Sequence, residues 1–268
     1  MSSELTTKRV AKVIGVDGSV KGEIELPEVF ETDLRKDLIR RAVISSQTAR
    51  IVPRTTDYYA GKRTSAESLG VGLDLARVPR VKGEHNPASG AGAFVPNVVG
   101  GRLAFPPSLE KKYHERINEK ERRLALMSAI AATSDPEAVI ERGHVLTNEI
   151  SLPLVVSDEI KDLKKAADLR TFLEKTSLIY DVLRAKEGVR ERSGKGKRRG
   201  RRWVRPKSLL IVVDDHKAPI RLASRNFTGV DCVGVNELNV ERLAPGGHPG
   251  RLTLWTESAI KRLSEIYQ

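Results

Sequence analysis

Lys207-Ser208-Leu209-Leu210-Ile211-Val212-Val213-Asp214-Asp215-His216 is the stretch on which the reading of the fold turns. Residues 209–213 form an unbroken apolar run without a polar face, the pattern of a strand buried on both sides. Such a strand needs layers above and below it. Two acids and a histidine follow at its carboxyl end, where ligands of open α/β sheets collect. An Arg/Lys-rich run precedes it.

Working outward, a second strand is expected at Val230–Val235 and a terminal helix at Glu257–Tyr267. Upstream, Leu152–Val156 reads as a strand, and helices are expected near Pro136 and at Lys164–Lys175, the latter followed by a segment through Leu178–Leu183 of unassigned type. The start reads as a hairpin, Val10 to Val16 and Val20 to Leu26, turning at Asp17-Gly18. A helix should follow from Asp33 to Arg50, capped by Thr32, with Leu34, Leu38, Ile39, Ala42 and Val43 on its buried side. Another is expected from Ser108 to Ser134, its first half almost wholly charged and its second half, from Leu124 to Ala132, docked on the core. Strands alternating with helices predict an α/β fold: a mostly parallel central sheet flanked by helices.

Residues 51–107 break every periodic pattern, with 8 Gly and 6 Pro in 57 residues. A structureless stretch this long inside a compact domain is functional, disordered or a sign of misassigned elements. It interleaves Tyr58, Tyr59, Phe94 and Phe105 with Arg54, Lys62, Arg63, Arg77, Arg80, Lys82 and Arg102, a mixture suited to stacking on bases and contacting phosphates. The expected organisation is one globular α/β domain from 1–50 and 108–268, a loop extension at 51–107, and a basic segment at 184–207 inside the domain.

Charge is concentrated rather than spread. The chain has a formal net charge of +12, and Arg184 to Lys207 holds 12 Lys/Arg against Glu187 and Glu191. A focused patch between foldable segments marks a polyanion partner, nucleic acid above all. Hydrophobic residues at 39% support a real core that leaves part of the chain outside it. No apolar run reaches the roughly 18 residues of a membrane helix, and Met1-Ser2-Ser3-Glu4 lacks the apolar core of a secretory signal. The single cysteine, Cys232, excludes an internal disulfide framework. A soluble, intracellular protein is expected.

Candidate chemistry is sparse. Gly70-Val71-Gly72 lacks the third glycine of a dinucleotide fingerprint, and Gly194-Lys195-Gly196 lacks the remainder of a phosphate loop. His85, His114, His144, His216 and His248 show no metal spacing. Asp214, Asp215 and His216 suit a Mg²⁺ site or acid–base work, against a plain polar strand exit whose acids pair with a nearby Lys or Arg. Trp203, inside Arg201-Arg202-Trp203-Val204-Arg205, reads equally as a base stacker or a core anchor. Charge focus and the long loop together point to a nucleic-acid-embedded protein; the alternatives are a free-standing nucleic-acid-binding regulator and, less favoured, a Mg-dependent phosphoryl-transfer enzyme using Asp214 and Asp215.

Several segments in order carry a resemblance. They are Ala76-Arg77-Val78-Pro79-Arg80-Val81-Lys82-Gly83, Gly92-Ala93-Phe94-Val95-Pro96, Val99-Gly100-Gly101-Arg102 and Ile117-Asn118-Glu119-Lys120-Glu121-Arg122-Arg123-Leu124. Gly194-Lys195-Gly196-Lys197 through Arg202, Arg205-Pro206-Lys207-Ser208-Leu209-Leu210-Ile211-Val212 and His248-Pro249-Gly250-Arg251-Leu252-Thr253 complete the set. The chain resembles the universal large-ribosomal-subunit protein number four family in its archaeal form. One departure is Arg102-Leu103-Ala104-Phe105-Pro106-Pro107, where the family pattern reads Arg-Arg-Ala-His-Pro-Pro.

The resemblance implies a structural constituent of the large subunit that binds the 5′ part of 23S-type rRNA early in assembly. Its loop would form part of the nascent-polypeptide exit tunnel beside ribosomal protein number twenty-two, with Arg80, Lys82 and His85 lining the tunnel. To the loop residues above (Arg54, Tyr58, Tyr59, Lys62, Arg63, Arg77, Arg80, Lys82, Phe94, Arg102), the expected rRNA contacts add Arg116, Lys120 and Arg123. From the basic segment they add Lys195, Lys197, Arg198, Arg199, Arg201, Arg202, Trp203, Arg205 and Lys207. Partners would be rRNA, neighbouring ribosomal proteins and the nascent chain in transit, with no membrane and no homo-oligomer. No enzymatic role and no cofactor beyond structural Mg²⁺ associated with rRNA is expected, in an archaeal cytoplasm.

Overall fold

The computed structural model describes residues 10–147 and 150–267. Its strands are β1 Val10–Ile14, β2 Val20–Glu25, β3 Ala66–Glu67, β4 Arg80–Val81, β5 Leu154–Val156, β6 Arg190–Glu191, β7 Trp203–Val204, β8 Leu210–Val213, β9 Asp231–Gly234 and β10 Thr253–Thr256. Its α-helices are α1 Lys36–Ala49, α2 Glu119–Ala131, α3 Pro136–Glu141, α4 Ala166–Lys175, α5 Ile179–Glu187, α6 Ile220–Ser224, α7 Val240–Leu243 and α8 Glu257–Ile266. Two compact units result: residues 48–115, and the described residues of 1–47 and 116–268.

The larger unit is built on a six-stranded sheet of order β2-β1-β5-β10-β8-β9. Only β1 and β2 pair antiparallel; every other neighbouring pair is parallel. All four residues of β8 are buried, as the apolar run requires. Because a strand sends alternate side chains to opposite faces, Leu210 and Val212 join Ile39 and Val43 of α1, Ile130 of α2 and Ile260 of α8 in one layer. Ile211 and Val213 join Leu169 and Phe172 of α4 and Ile220 of α6 in the other. The result is a helix–sheet–helix sandwich, the expected α/β class.

Three elements differ from the sequence expectation, each for a local reason. Helix α1 starts at Lys36 rather than Asp33 because Glu28–Glu31 form a separate 3-10 turn that Thr32 closes with its N–H on the Val29 carbonyl. Residues 108–118 are not helical; their charges offer no apolar stripe, and α2 begins only at Glu119, where the chain has a surface to dock. Strand β10 went unpredicted, although it sits between β5 and β8. Its threonines break the apolar run, yet both are fully buried. The Thr253 hydroxyl donates to the Arg251 carbonyl at 2.9 Å and that of Thr256 to the Val212 carbonyl at 3.3 Å. Thr256 also caps α8 by accepting from the Ala259 N–H. Buried hydroxyls satisfied by backbone fit a core strand at little cost.

At the amino ends of β8, β9 and β10 the guanidinium of Arg251 is fully buried. It donates to the carbonyls of Ser208 at 2.8 Å, Arg242 at 2.9 Å and Gly229 at 3.0 Å, and to the Asp231 carboxylate at 2.7 Å. Burial opposes ionisation of Asp231, but Arg251 and Lys207 outweigh it and hold that carboxyl below its ordinary range. Arg251→Leu leaves Asp231 paired with Lys207 but takes the charged donor from the Ser208 and Arg242 carbonyls, at about 1–3 kcal/mol for each buried group left unsatisfied. Unfolding free energy should fall by roughly that amount in urea titrations at neutral pH.

Candidate nucleic-acid interface

The basic segment folds as a small hairpin on the larger unit. Strands β6 and β7 pair over two residues each, Arg190 with Val204 and Glu191 with Trp203. Between them Lys195–Arg199 form a 3-10 turn with no buried residue. Lys195, Lys197, Arg198, Arg199, Arg201, Arg202 and Arg205 are all exposed. Trp203 is half exposed with the Arg202 guanidinium 5.4 Å above its ring, which removes the core-anchor reading. Lys207 differs from the rest: its ammonium pairs with Asp231 at 2.9 Å, at the foot of the hairpin.

That foot rests on a carboxylate that the sequence reading did not single out. Asp181, on α5, is fully buried. Its oxygens accept from Arg184 Nε at 2.9 Å, Ser208 Oγ at 2.6 Å and the Val145 N–H at 3.2 Å. His144 Nδ1 lies 3.1 Å from both oxygens; a carboxylate only accepts, so Nδ1 carries the proton. Burial works against ionisation of Asp181, but the hydrogen bonds from His144, Arg184 and Ser208 outweigh it and hold the carboxyl well below the usual carboxylate range. For His144 burial wins: the imidazole sits below its ordinary value, the Asp181 bond offsetting only part. In sequence, Asp181 and Arg184 look like an i,i+3 surface pair; nothing local signals that the carboxylate points inward.

The unit at 48–115 holds the predicted loop residues. Tyr58 and Tyr59 meet edge to face at 5.1 Å, with Lys62 Nζ 4.1 Å over the Tyr58 ring and Arg63 5.9 Å over that of Tyr59. Arg63 is also ion-paired with Asp57. Tyr58 stays 74% exposed. Gly61, at φ +74, lets this knot lie against the backbone of Gly101 and Arg102, where a Cβ would come within 2.5 Å. In the same unit β3 and β4 pair antiparallel, and β4 also bridges to Gly92. Arg80 is half-buried with Nη1 donating to the Gly90 carbonyl at 2.8 Å, and Lys82 pairs with Glu67 at 2.5 Å. Among the three expected tunnel residues, Arg80 and Lys82 are tied to the loop's own framework, while His85 is exposed. Arg54, Arg77 and Phe94 are exposed, and Phe94 takes a left-handed φ of 69. Arg102 is half-buried.

Elsewhere on the larger unit, Arg116, Lys120 and Arg123 are exposed, with the Arg123 guanidinium 5.9 Å over the Tyr267 ring. At the carboxyl end of β8, Asp214 pairs with Lys161 at 2.7 Å, and Lys161 also reaches Asp158 at 3.0 Å. Asp215 is exposed beside His216 at 3.3 Å. This is the polar strand exit, with the acid neutralised by a lysine. Among the described residues no group of His, Cys, Asp and Glu has the arrangement of a metal site, and no helix is long and apolar enough to cross a membrane.

Fold and surface together define a class: an α/β protein whose cations are presented on a hairpin and an irregular unit. The family follows from comparison. The family model described as "Ribosomal protein L4/L1 family" matches residues 24–266, so the chain belongs to that family. It is 53% identical over 255 residues to the large ribosomal subunit protein uL4 of Methanopyrus kandleri, covering 95% of this chain and 98% of that one. The uL4 of Methanosphaera stadtmanae is 50% identical over 256 residues, covering 96% of each chain. That of Saccharolobus solfataricus is 49% identical over 258 residues, covering 96% of this chain and 95% of that one. All three relatives are named as a ribosomal protein, not as an enzyme.

The buried histidine makes stability pH-dependent in a definite direction. His144 is held below its ordinary 6.5 in the folded state, so beneath that value the unfolded chain takes up a proton that the folded chain refuses. Stability is complete above about pH 6.5 and falls as pH drops, by at most about 1.4 kcal/mol per pH unit from this group. Urea unfolding of wild type and His144→Gln across this range should show a shallower decline in the variant.

Proposed function

We propose that this protein is an rRNA-binding structural constituent of the large ribosomal subunit, working in an archaeal cytoplasm with neighbouring ribosomal proteins. The observation that carries the RNA part is the hairpin at 190–204, whose six tip cations, Lys195, Lys197, Arg198, Arg199, Arg201 and Arg202, all face outward with nothing buried beneath them. Family membership supplies the ribosome. Phosphates neutralise such an array without reading sequence, so the hairpin acts as an orienting grip.

The unit at 48–115 takes the second role. Tyr58 and Tyr59 offer exposed rings braced by Lys62 and Arg63, which suits stacking on unpaired bases with phosphate contact alongside. In this reading Arg54, Arg77, Phe94 and Arg102 belong to the same RNA-contacting set within that unit, Arg116, Lys120 and Arg123 are further rRNA contacts on the α/β body, and Trp203, Arg205 and Lys207 continue the hairpin. Early binding near the 5′ part of the 23S-type rRNA, and a loop tip beside protein number twenty-two at the tunnel constriction, complete the proposal on the strength of the resemblance. His85 is then the side chain best placed to meet the nascent chain, while Arg80 and Lys82 stiffen the tip behind it.

Two measurements test this. Each phosphate neutralised adds roughly 0.7–0.9 to the slope of log affinity against log salt; replacing the six tip cations by Gln should flatten that slope by several units with the fold intact. A filter-binding titration checks it, and an unchanged slope removes the hairpin from the RNA. Deleting residues 78–92 should spare the α/β fold and initial rRNA binding yet widen the tunnel constriction in a subunit map.

A further inference from the structure

The hairpin at 190–204 cannot set its own direction. It has no core, and its ladder is four residues long. Added to this are Arg192 N–H on the Arg202 carbonyl at 2.7 Å, Arg192 Nε on the Arg201 carbonyl at 3.0 Å, Arg201 N–H on the Gly196 carbonyl at 3.2 Å and an exposed Arg202–Glu191 pair at 3.2 Å, all at the surface. Against them stand crowded like charges, each close pair repelling by about 1 kcal/mol at 4 Å in water. Its pose must come from where it joins the body.

Both joins meet at one carboxylate. The segment leaves the body at Arg184, whose Nε donates to Asp181, and returns at Ser208, whose hydroxyl donates to the same group. Arg184 Nη2 closes the gap by donating to the Lys207 carbonyl at 2.9 Å. The returning chain is packed as well as bonded: Ser208 N–H donates to the Gly229 carbonyl at 2.9 Å, and Gly229, at φ +78, has no room for a Cβ, which would lie 2.4 Å from the Pro206 carbonyl oxygen. A buried carboxylate is a poor device for stability alone, since an apolar replacement often serves as well. A charge that accepts from three separate chain segments, at residues 144–145, 184 and 208, fixes their mutual geometry.

We propose that Asp181 is a positioning residue for the RNA grip: through Arg184 and Ser208 it fixes the angle at which the basic hairpin leaves the body, so that the tip cations meet phosphates as an ordered array. This rests on the reading of the hairpin as RNA-binding and adds to it a control point that no RNA touches.

The test uses the full chain and a full-length large-subunit rRNA transcript. A cleavage reagent is tethered at Ser193→Cys, an exposed hairpin position; the native Cys232 thiol, pushed up to about 12 by burial, competes little. Asp181→Asn and Ser208→Ala are compared with the parent, and Asp181→Asn/Arg184→Gln removes the stranded charge if the single variant folds poorly. Ser208→Ala, which deletes one hydrogen bond, remains testable in any case. The expected result is about tenfold weaker binding, a salt slope lower by roughly one to two units, and rRNA cleavage from position 193 that spreads or shifts. Folded variants with the parent's cleavage pattern and slope would overturn the proposal and leave Asp181 a stability residue. If replacing the six tip cations by Gln leaves the parent's slope unchanged, it is the RNA-binding reading that fails, not the geometry of the root.

Discussion

Everything in the α/β unit is arranged around a charge that has no water. The Arg251 guanidinium lies where the amino ends of β8, β9 and β10 converge, and its hydrogen bonds reach the backbone at 208, 229 and 242 as well as the Asp231 carboxylate. Taking such an ion out of water costs several kcal/mol, and only a full set of partners offsets it. The strands are thus locked in register by a group that tolerates one arrangement. Apolar packing alone would fill the same space less selectively, because Leu, Ile and Val accept small slips that a five-donor fork does not.

The two ends of the sheet have divided their tasks. In open parallel sheets the carboxyl ends of the strands usually gather ligands. Here that end is closed by Lys161, which neutralises Asp214 and Asp158. The amino end carries the unusual chemistry instead: Arg251 with Asp231, and Asp181 with His144, Arg184 and Ser208. From it emerges the hairpin with most of the net charge. A fold often used to cradle small ligands serves here as the mount for a cationic arm, and Asp214, one of the two acids that suited catalysis, is held in an ion pair with Lys161.

The class of fold was legible because the apolar run at 209–213 carries it in five consecutive residues, four of which form β8, and the charge focus was legible because counting needs no structure. What stayed hidden were residues whose meaning is non-local. Asp181 is one acid on an amphipathic helix; only the return of the chain at Ser208 turns it inward. Strand β10 hid because Thr253 and Thr256 look like surface residues until their hydroxyls are matched with carbonyls. The charged stretch at 108–118 misled in the opposite sense, since good helix formers without a face to bury gain nothing from coiling. In the loop unit, composition gave the mixture of aromatics and cations. It could not show that Arg80 and Lys82 bond to their own framework while Tyr58 remains open.

The position of β10 also orders events in time. It lies between β5 and β8, yet comes from residues 253–256, after every other strand of the sheet. A chain made from its N-terminus can pair β1 with β2 and β8 with β9, but those halves have no seam until the last strand arrives. Arg251, just ahead of that strand, arrives with it. The irregular unit and the basic hairpin are therefore synthesised well before the body that carries them can close. During that interval the most highly charged segment, the basic hairpin, is exposed on an unfinished scaffold, and a polyanion nearby would meet it before the fold is complete.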